Sequence, residues 1–304
     1  MAVLGTLIGS IPSPSSGEIE LGPVQVHAYG LMLLLGIIAA TWLTGRRYTG
    51  RWAFWSDPRG DLVFRVAMWG VLGGIIGARI YHVVTSWGTV DEEWWEPFAV
   101  WEGGLGVWGG IAGGVLVGAW VVKRSGESVL AFMDVVAPGL LLAQAIGRWG
   151  NYFNQELYGE PTDLPWGLEI HLANRPVEYQ DPALFSDTTF HPTFLYESLW
   201  CLLGVGVLLL IDKRANLRPP GLFCLYVIWY CIGRFGMELL RIDEAHEFLG
   251  LRLNAWVSIV VFALAVVAFI WSQRRAEGGR PTKRSEPPPP PEGPTMAIPK
   301  GRVR

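Results

Sequence analysis

Charge-free apolar blocks recur along the chain at a length that a helix needs to cross a bilayer. A hydrocarbon core of ~30 Å takes about 20 apolar residues in α-helical form. Residues 21–45 contain no Asp, Glu, Lys or Arg and predict the first span. Further blocks at about 61–84, 104–122, 128–147, 193–211, 220–240 and 253–272 predict six more. A few of these blocks carry ionisable residues: Arg65 and Arg79 in the second, Asp134 in the fourth, Glu197 in the fifth and the Arg234–Arg241 stretch in the sixth. Composition agrees: 51% of the 304 residues are hydrophobic and only 17% charged. Such a chain is too apolar for a water-soluble fold of its size. The expectation is an all-α integral membrane protein of seven transmembrane helices.

The cations set the orientation. With the N-terminus outside, the segments facing the cytoplasm would hold Arg46, Arg47, Arg51 and Arg59, then Lys123 and Arg124, then Lys213, Arg214 and Arg218, and finally the basic tail. Together these are 17 of the 24 Lys and Arg. Arg175 and Arg252 fall outside, and Arg148 and Arg241 near helix ends. The positive-inside rule then gives N-out, C-in. Residues 1–20 are expected as an extracytoplasmic segment, without the basic start or cleavage site of a signal peptide. Asp91, Glu92, Glu93 and Glu96, with Trp94 and Trp95 between them, read as a wet loop at the interface. The loop at about 150–191, between the fourth and fifth spans, is long enough for a small extracytoplasmic head over a body at 21–272. Residues 273–304, with Pro287–Pro291, read as a disordered, basic cytoplasmic tail. A net charge of −3 gives no reason to expect nucleic acid. Cys201, Cys224 and Cys231 lie in apolar stretches without metal-ligand spacing, so neither a disulfide framework nor a zinc site is expected.

Gly106, Gly110, Gly114 and Gly118 form a bare stripe on the third span, and Gly70, Gly73, Gly74 and Gly77 do the same on the second. Small residues at this spacing let helix backbones approach closely in lipid.

The membrane-level charges need a separate reason, since each costs roughly 2.5–3.5 kcal/mol on insertion scales. Arg148 sits in the run Gly147–Gly159 at the end of the fourth span. Arg234, Glu238 and Arg241, spaced by four and three, share one face of the sixth. One reading is an ion-pair ladder that only pins helices together. The other is an anion site: arginines outnumber acids on this face, and arginine takes phosphate through a planar bidentate fork. A helix break at the glycine before Asn151, Asn154 and Glu156 is expected, with irregular backbone lining a wet cavity.

These runs resemble the bacterial prolipoprotein diacylglyceryl transferases. Gly147, Arg148, Gly150, Asn151, Tyr152, Asn154, Glu156 and Gly159 match that family's signature. Four further stretches match in order: His27–Gly30, WEGGLGVWGG around the start of the third span, His191–Glu197 and Tyr230–Arg241. The likeness covers about residues 20–272. It implies transfer of the sn-1,2-diacylglyceryl group of phosphatidylglycerol to the lipobox cysteine thiol of a prolipoprotein signal peptide. Glycerol phosphate leaves, a thioether forms, and no metal or nucleotide cofactor is used. The partners would be phosphatidylglycerol, prolipoproteins and the bacterial plasma membrane, with the site toward its extracytoplasmic side. By the same resemblance Arg148 and Arg234 hold the phosphate, and Arg241 supports them or gates the site. Glu156 and Glu238 orient the arginines, Glu156 being also a candidate acceptor of the thiol proton. Asn151, Asn154 and Gly159 hold the headgroup or its loop, and Tyr29 and Tyr230 face the cavity.

One position departs from the pattern. Trp108 stands where some members carry a histidine, and indole accepts no proton. His191 is a further candidate base, weighed against a hydrogen-bonded residue capping the fifth span. Trp149 reads as an interface anchor. The rival class is a transporter or channel for an anionic substrate, which an internal repeat would have favoured; none is found between the two halves. A scaffold for other membrane proteins is the third class.

Overall fold

A computed structural model describes residues 9–21, 24–51, 54–86, 98, 104–243, 245 and 247–274 of the chain. The acidic stretch 91–96, His246, residues 1–8 and the tail from 275 onward lie outside the described residues. The main helices are α1 (Ala28–Thr49), α2 (Gly60–Thr85), α3 (Val107–Arg124), α4 (Val129–Asn154), α6 (Thr193–Arg214), α7 (Gly221–Glu238) and α8 (Leu253–Arg274), with a single-turn α5 (Pro182–Phe185) between α4 and α6. Five of them, α1, α2, α4, α6 and α8, are long and apolar enough to cross a membrane. The other two long helices, α3 and α7, have 18 residues each. Glycine and terminal Lys123 and Arg124 dilute α3, and Arg234 and Glu238 dilute α7.

Two expected boundaries move. The first span was placed from residue 21, but residues 18–27 form an antiparallel hairpin, β1 (Glu18–Leu21) with β2 (Val24–His27), and α1 starts at Ala28. The stretch carries no charge between residues 21 and 27, so charge alone could not separate it from the span. The helix break expected near Gly150 is absent: α4 runs on through Asn154. It stops at Gln155, which is left-handed at φ 51°, followed by Leu157 at φ 59°. Gly150 is bare for another reason: a Cβ there would collide with the ring of Tyr29.

The helices associate in two ways. Between α2 and α3 the closest approaches are Gly77 against Gly109 and Gly73 against Gly113, where a Cβ would strike the opposing carbonyl. The stripe expected at 106/110/114/118 also faces α2, Gly110 and Gly114 against Gly74 and Gly70 with more room, while the tightest row is the neighbouring one at Gly109 and Gly113. Small residues also join α1 to α4, Gly36 against Ala143 and Gly139 against Ala40. Pro138 inside α4 is fully buried beside this contact.

Polar ties fix the remaining ends. Ser128 caps α4 by accepting from the Ala131 amide. Asp134 of α4 accepts from the Phe223 amide at 2.8 Å, satisfying a free N–H in the first turn of α7. Arg47 of α1 pairs with Asp212 of α6 at 3.0 Å. At the opposite end, residues 155–192 fold into a small head whose core is Tyr158, Leu168, Ile170, Phe190 and Phe194. Its two-stranded sheet pairs β3 (Leu168–Glu169) with β4 (Thr189–Phe190). Arg175 is buried beneath, donating to the carbonyls of Ile170 and Phe185 with its guanidinium over the Phe190 ring; burial pulls its pKa below the usual arginine value. The N-terminal segment joins the head, Ile11 bridging to Leu168. Tyr152 donates to the Pro12 carbonyl at 2.7 Å and Gln155 to that of Pro14 at 2.9 Å.

Candidate active site

Four helices bring their head-side ends together, and the charged residues meet there. Arg148, nearly two turns before the end of α4, donates through Nε to Glu197 of α6 at 2.5 Å. The second oxygen of Glu197 takes Arg234 of α7 at 3.4 Å. Arg234 turns its NH2 to Glu238 one turn on, at 2.9 Å. Glu238, 1% exposed, also faces Arg241 at 3.6 Å and Arg252 at 3.4 Å. Asn254 at the start of α8 donates to it at 3.4 Å. Beyond α7, Asp243 takes Arg241 in a bidentate pair, both contacts 2.7 Å, and Arg252 at 2.8 Å. Burial alone would raise Asp243, but the hydrogen bonds and charge of Arg241 and Arg252 hold its carboxyl below the usual range.

The expected face of Arg234, Glu238 and Arg241 is therefore real, and it is tied to Arg148 through Glu197. The two arginines assigned to a phosphate are separated only by the width of one carboxylate and its two contacts. Arg241 and Arg148 are engaged differently. Arg241 spends both edges on carboxylates, as a support would. Arg148 is held by its Nε edge, while its NH1 makes only a 3.4 Å contact to Asn151 Oδ1. Tyr230 lies within electrostatic reach of its guanidinium.

Glu156 touches no arginine directly. Its Oε1 accepts from Asn151 at 2.8 Å and Asn154 at 3.2 Å, so its influence on Arg148 passes through Asn151. Tyr29 packs on Gly150 within electrostatic reach of Arg148 and Glu156. Gly159 serves the loop: its amide donates to the His191 carbonyl, it bridges to Arg241, and a Cβ would press within 2.9 Å of His191 and of the Leu240 carbonyl. Through this bridge the head is fastened to the end of α7.

His191 does not cap α6. The capping position is Pro192, and the His191 ring instead pairs with the Tyr196 hydroxyl at 3.2 Å. Trp108 lies at the start of α3, 52% exposed. Trp149 is exposed, donating to Ser198 and packing edge-on against Phe194.

Glu197, Asp243, Arg252 and Asn254 were not expected in the site. Glu197 carried one signal, being an acid in a predicted span without a partner nearby in sequence. A small cleft of about 10 Å³ beside it, room for roughly one water, is lined by Trp200, Cys201, Tyr230, Gly233, Arg234 and Met237.

Residues 17–271 match the family described as "Prolipoprotein diacylglyceryl transferase". A phosphatidylglycerol–prolipoprotein diacylglyceryl transferase 2 of Streptomyces coelicolor is 50% identical over 272 residues, 88% of this chain and 82% of the relative. The similarly named protein of Frankia alni is 49% identical over 275 residues, covering 88% and 69%. That of Bifidobacterium adolescentis is 44% identical over 279 residues, covering 87% and 80%. With the likeness running from the first hairpin to the last helix and the signature residues gathered at one end of the bundle, the chain belongs to the prolipoprotein diacylglyceryl transferase family.

Proposed function

We infer that the protein transfers the diacylglyceryl group of phosphatidylglycerol to the lipobox cysteine of prolipoproteins, as its relatives' names describe. The observation that carries the reading at the level of residues is Arg148 and Arg234 meeting on one carboxylate at the head end of α4 and α7. Seven spans with the N-terminus outside, the tail inside and the head on the outer face of the plasma membrane make the fuller topology. The cation distribution supports it, and it places the arginines at the outer leaflet.

The chemistry needs two things from the protein. A cysteine thiol, with an ordinary pKa of about 8.5, must be available as thiolate, and guanidinium groups nearby favour that form. The sulfur then attacks the diacylglyceryl carbon bonded to the phosphate oxygen; that C–O bond breaks, a C–S bond forms, and the electron pair leaves on the oxygen of glycerol phosphate. Arg148 and Arg234, fixed beforehand by Glu197 and Glu238, stabilise the charge that grows on that oxygen. Asn151, held by Glu156, orients Arg148; Asn154 and the Gly159 loop shape the headgroup end; Tyr29 and Tyr230 wall the cavity. Glu156 stands a short relay from the arginine and remains the candidate proton acceptor, since Trp108 has no basic atom.

The test is purified protein in phosphatidylglycerol vesicles with a lipobox peptide. Thioether on the peptide and glycerol phosphate in solution are expected in equal amounts. Anion flux across the vesicles with an unmodified peptide would overturn the assignment.

A further inference from the structure

We propose that Glu197 is a positioning residue with a second duty: it competes with the phosphate for Arg148 and Arg234 and so drives release of the glycerol phosphate product. The inference rests on the phosphatidylglycerol reading above.

The bond change creates the difficulty that Glu197 answers. The substrate is a phosphodiester with one negative charge. The product is a phosphomonoester, whose second ionisation lies near pH 6, so at neutral pH it carries close to two. Guanidinium groups aimed at the leaving oxygen stabilise the transition state, and they hold the dianionic product more firmly than the substrate. An enzyme built this way needs something to loosen its grip.

The structure supplies a tethered anion at the right place. Glu197 is buried, and each of its oxygens is on a different one of the two arginines. Among the described residues no other carboxylate contacts both arginines. Glu238 binds Arg234 but turns its remaining contacts to Arg241, Arg252 and Asn254. Glu156 reaches Arg148 only through Asn151. When the guanidiniums turn toward a phosphate, the carboxylate is not stranded. The cleft beside it, lined in part by Tyr230, has room for about one water. As charge on the departing phosphate rises, its repulsion with Glu197 rises too, and the carboxylate retakes both arginines. The same swap costs the monoanionic substrate less than it costs the dianionic product.

Glu197→Gln keeps the shape and removes the charge. In the purified, vesicle-reconstituted protein, single-turnover thioether formation should fall only a few-fold. Steady-state turnover should fall further, and inhibition by added sn-glycerol 1-phosphate should tighten by about tenfold or more, the scale of one lost charge-assisted contact. Glu197→Asp, too short to span both arginines, should move in the same direction by less, and it carries the test if the Gln variant does not fold. Unchanged inhibition by glycerol phosphate overturns the proposal. So does an equal fall in single-turnover and steady-state rates accompanied by a lower melting temperature, which would mark Glu197 as a helix-pinning group alone. Failure of the parent protein to form any thioether would overturn the site reading instead, so the two outcomes are distinguishable.

Discussion

Two helix seams in this protein solve the same problem with opposite means. Between α2 and α3 the contact is bare backbone: Gly73, Gly77, Gly109 and Gly113 leave no room for a Cβ. Between α4, α6 and α7 it is a chain of buried ions, Arg148–Glu197–Arg234–Glu238. Close packing is sufficient to join helices in lipid, where apolar side chains gain nothing by meeting each other rather than lipid tails. Buried ion pairs lose in desolvation much of what they gain in attraction. The first seam shows that this fold can join helices without charge. The second is therefore better explained by what its charges do to a ligand than by adhesion, and variants can separate the two roles.

The largest effect is expected at the node. Glu238→Ala leaves three arginines without their shared counter-charge and should cost about 3–5 kcal/mol of stability, read as lost folded yield in detergent. Arg148→Lys should fold normally yet lose about 100-fold in thioether formation, because a point charge does not replace the planar fork; parent-level activity would remove Arg148 from the chemistry. On the other seam, Gly113→Leu should destabilise by about 1–3 kcal/mol or more. Gly110→Ala, whose Cβ would meet its nearest neighbour only at 3.5 Å, should melt like the parent. Similar losses at both glycines would break the assignment of the contact face. Trp108→His should be nearly silent, and a marked change in the pH profile of its rate would bring that position into the proton transfer. The smallest effect lies far from both seams, in the loop between α1 and α2. Hydrogen bonds from Arg59 hold Asp57 down to about 2. A lowered carboxyl stabilises the fold above its unfolded value, and that contribution fades as pH falls from about 4 toward 2. Asp57→Asn should flatten this acid limb of a melting-temperature profile.

The parts of the molecule that were legible from sequence are those a single local rule governs. Bilayer thickness sets the length of apolar blocks, so apart from the start of α1 and the end of α4 the long helices lie within a few residues of expectation. The Arg234–Glu238–Arg241 face follows from helical spacing alone. What was hidden depends on partners remote in sequence. Glu197 looks like an isolated acid until α4 and α7 bring arginines to both its oxygens. Arg252 reads as a loop cation until the short hairpin before α8, Glu247–Phe248 with Leu251–Arg252, turns it back on Glu238 and Asp243. Gly150 was mistaken for a helix breaker because glycine has two uses, and only the ring of Tyr29 shows which applies. The α2–α3 stripe at 106/110/114/118 was legible too, but not that the neighbouring Gly109 and Gly113 make the tighter row, since adjacent glycines leave the phase ambiguous.

The strand-like segment around Ile11 bears on where the functional unit begins. Family likeness sets in at residue 17, yet Pro12 and Pro14 are gripped by Tyr152 and Gln155, at the very end of the helix that carries Arg148. Trimming the gene to the homologous boundary would cut those moorings. The last turns of α4, which follow Arg148, would then be free to fray, a defect invisible in any alignment.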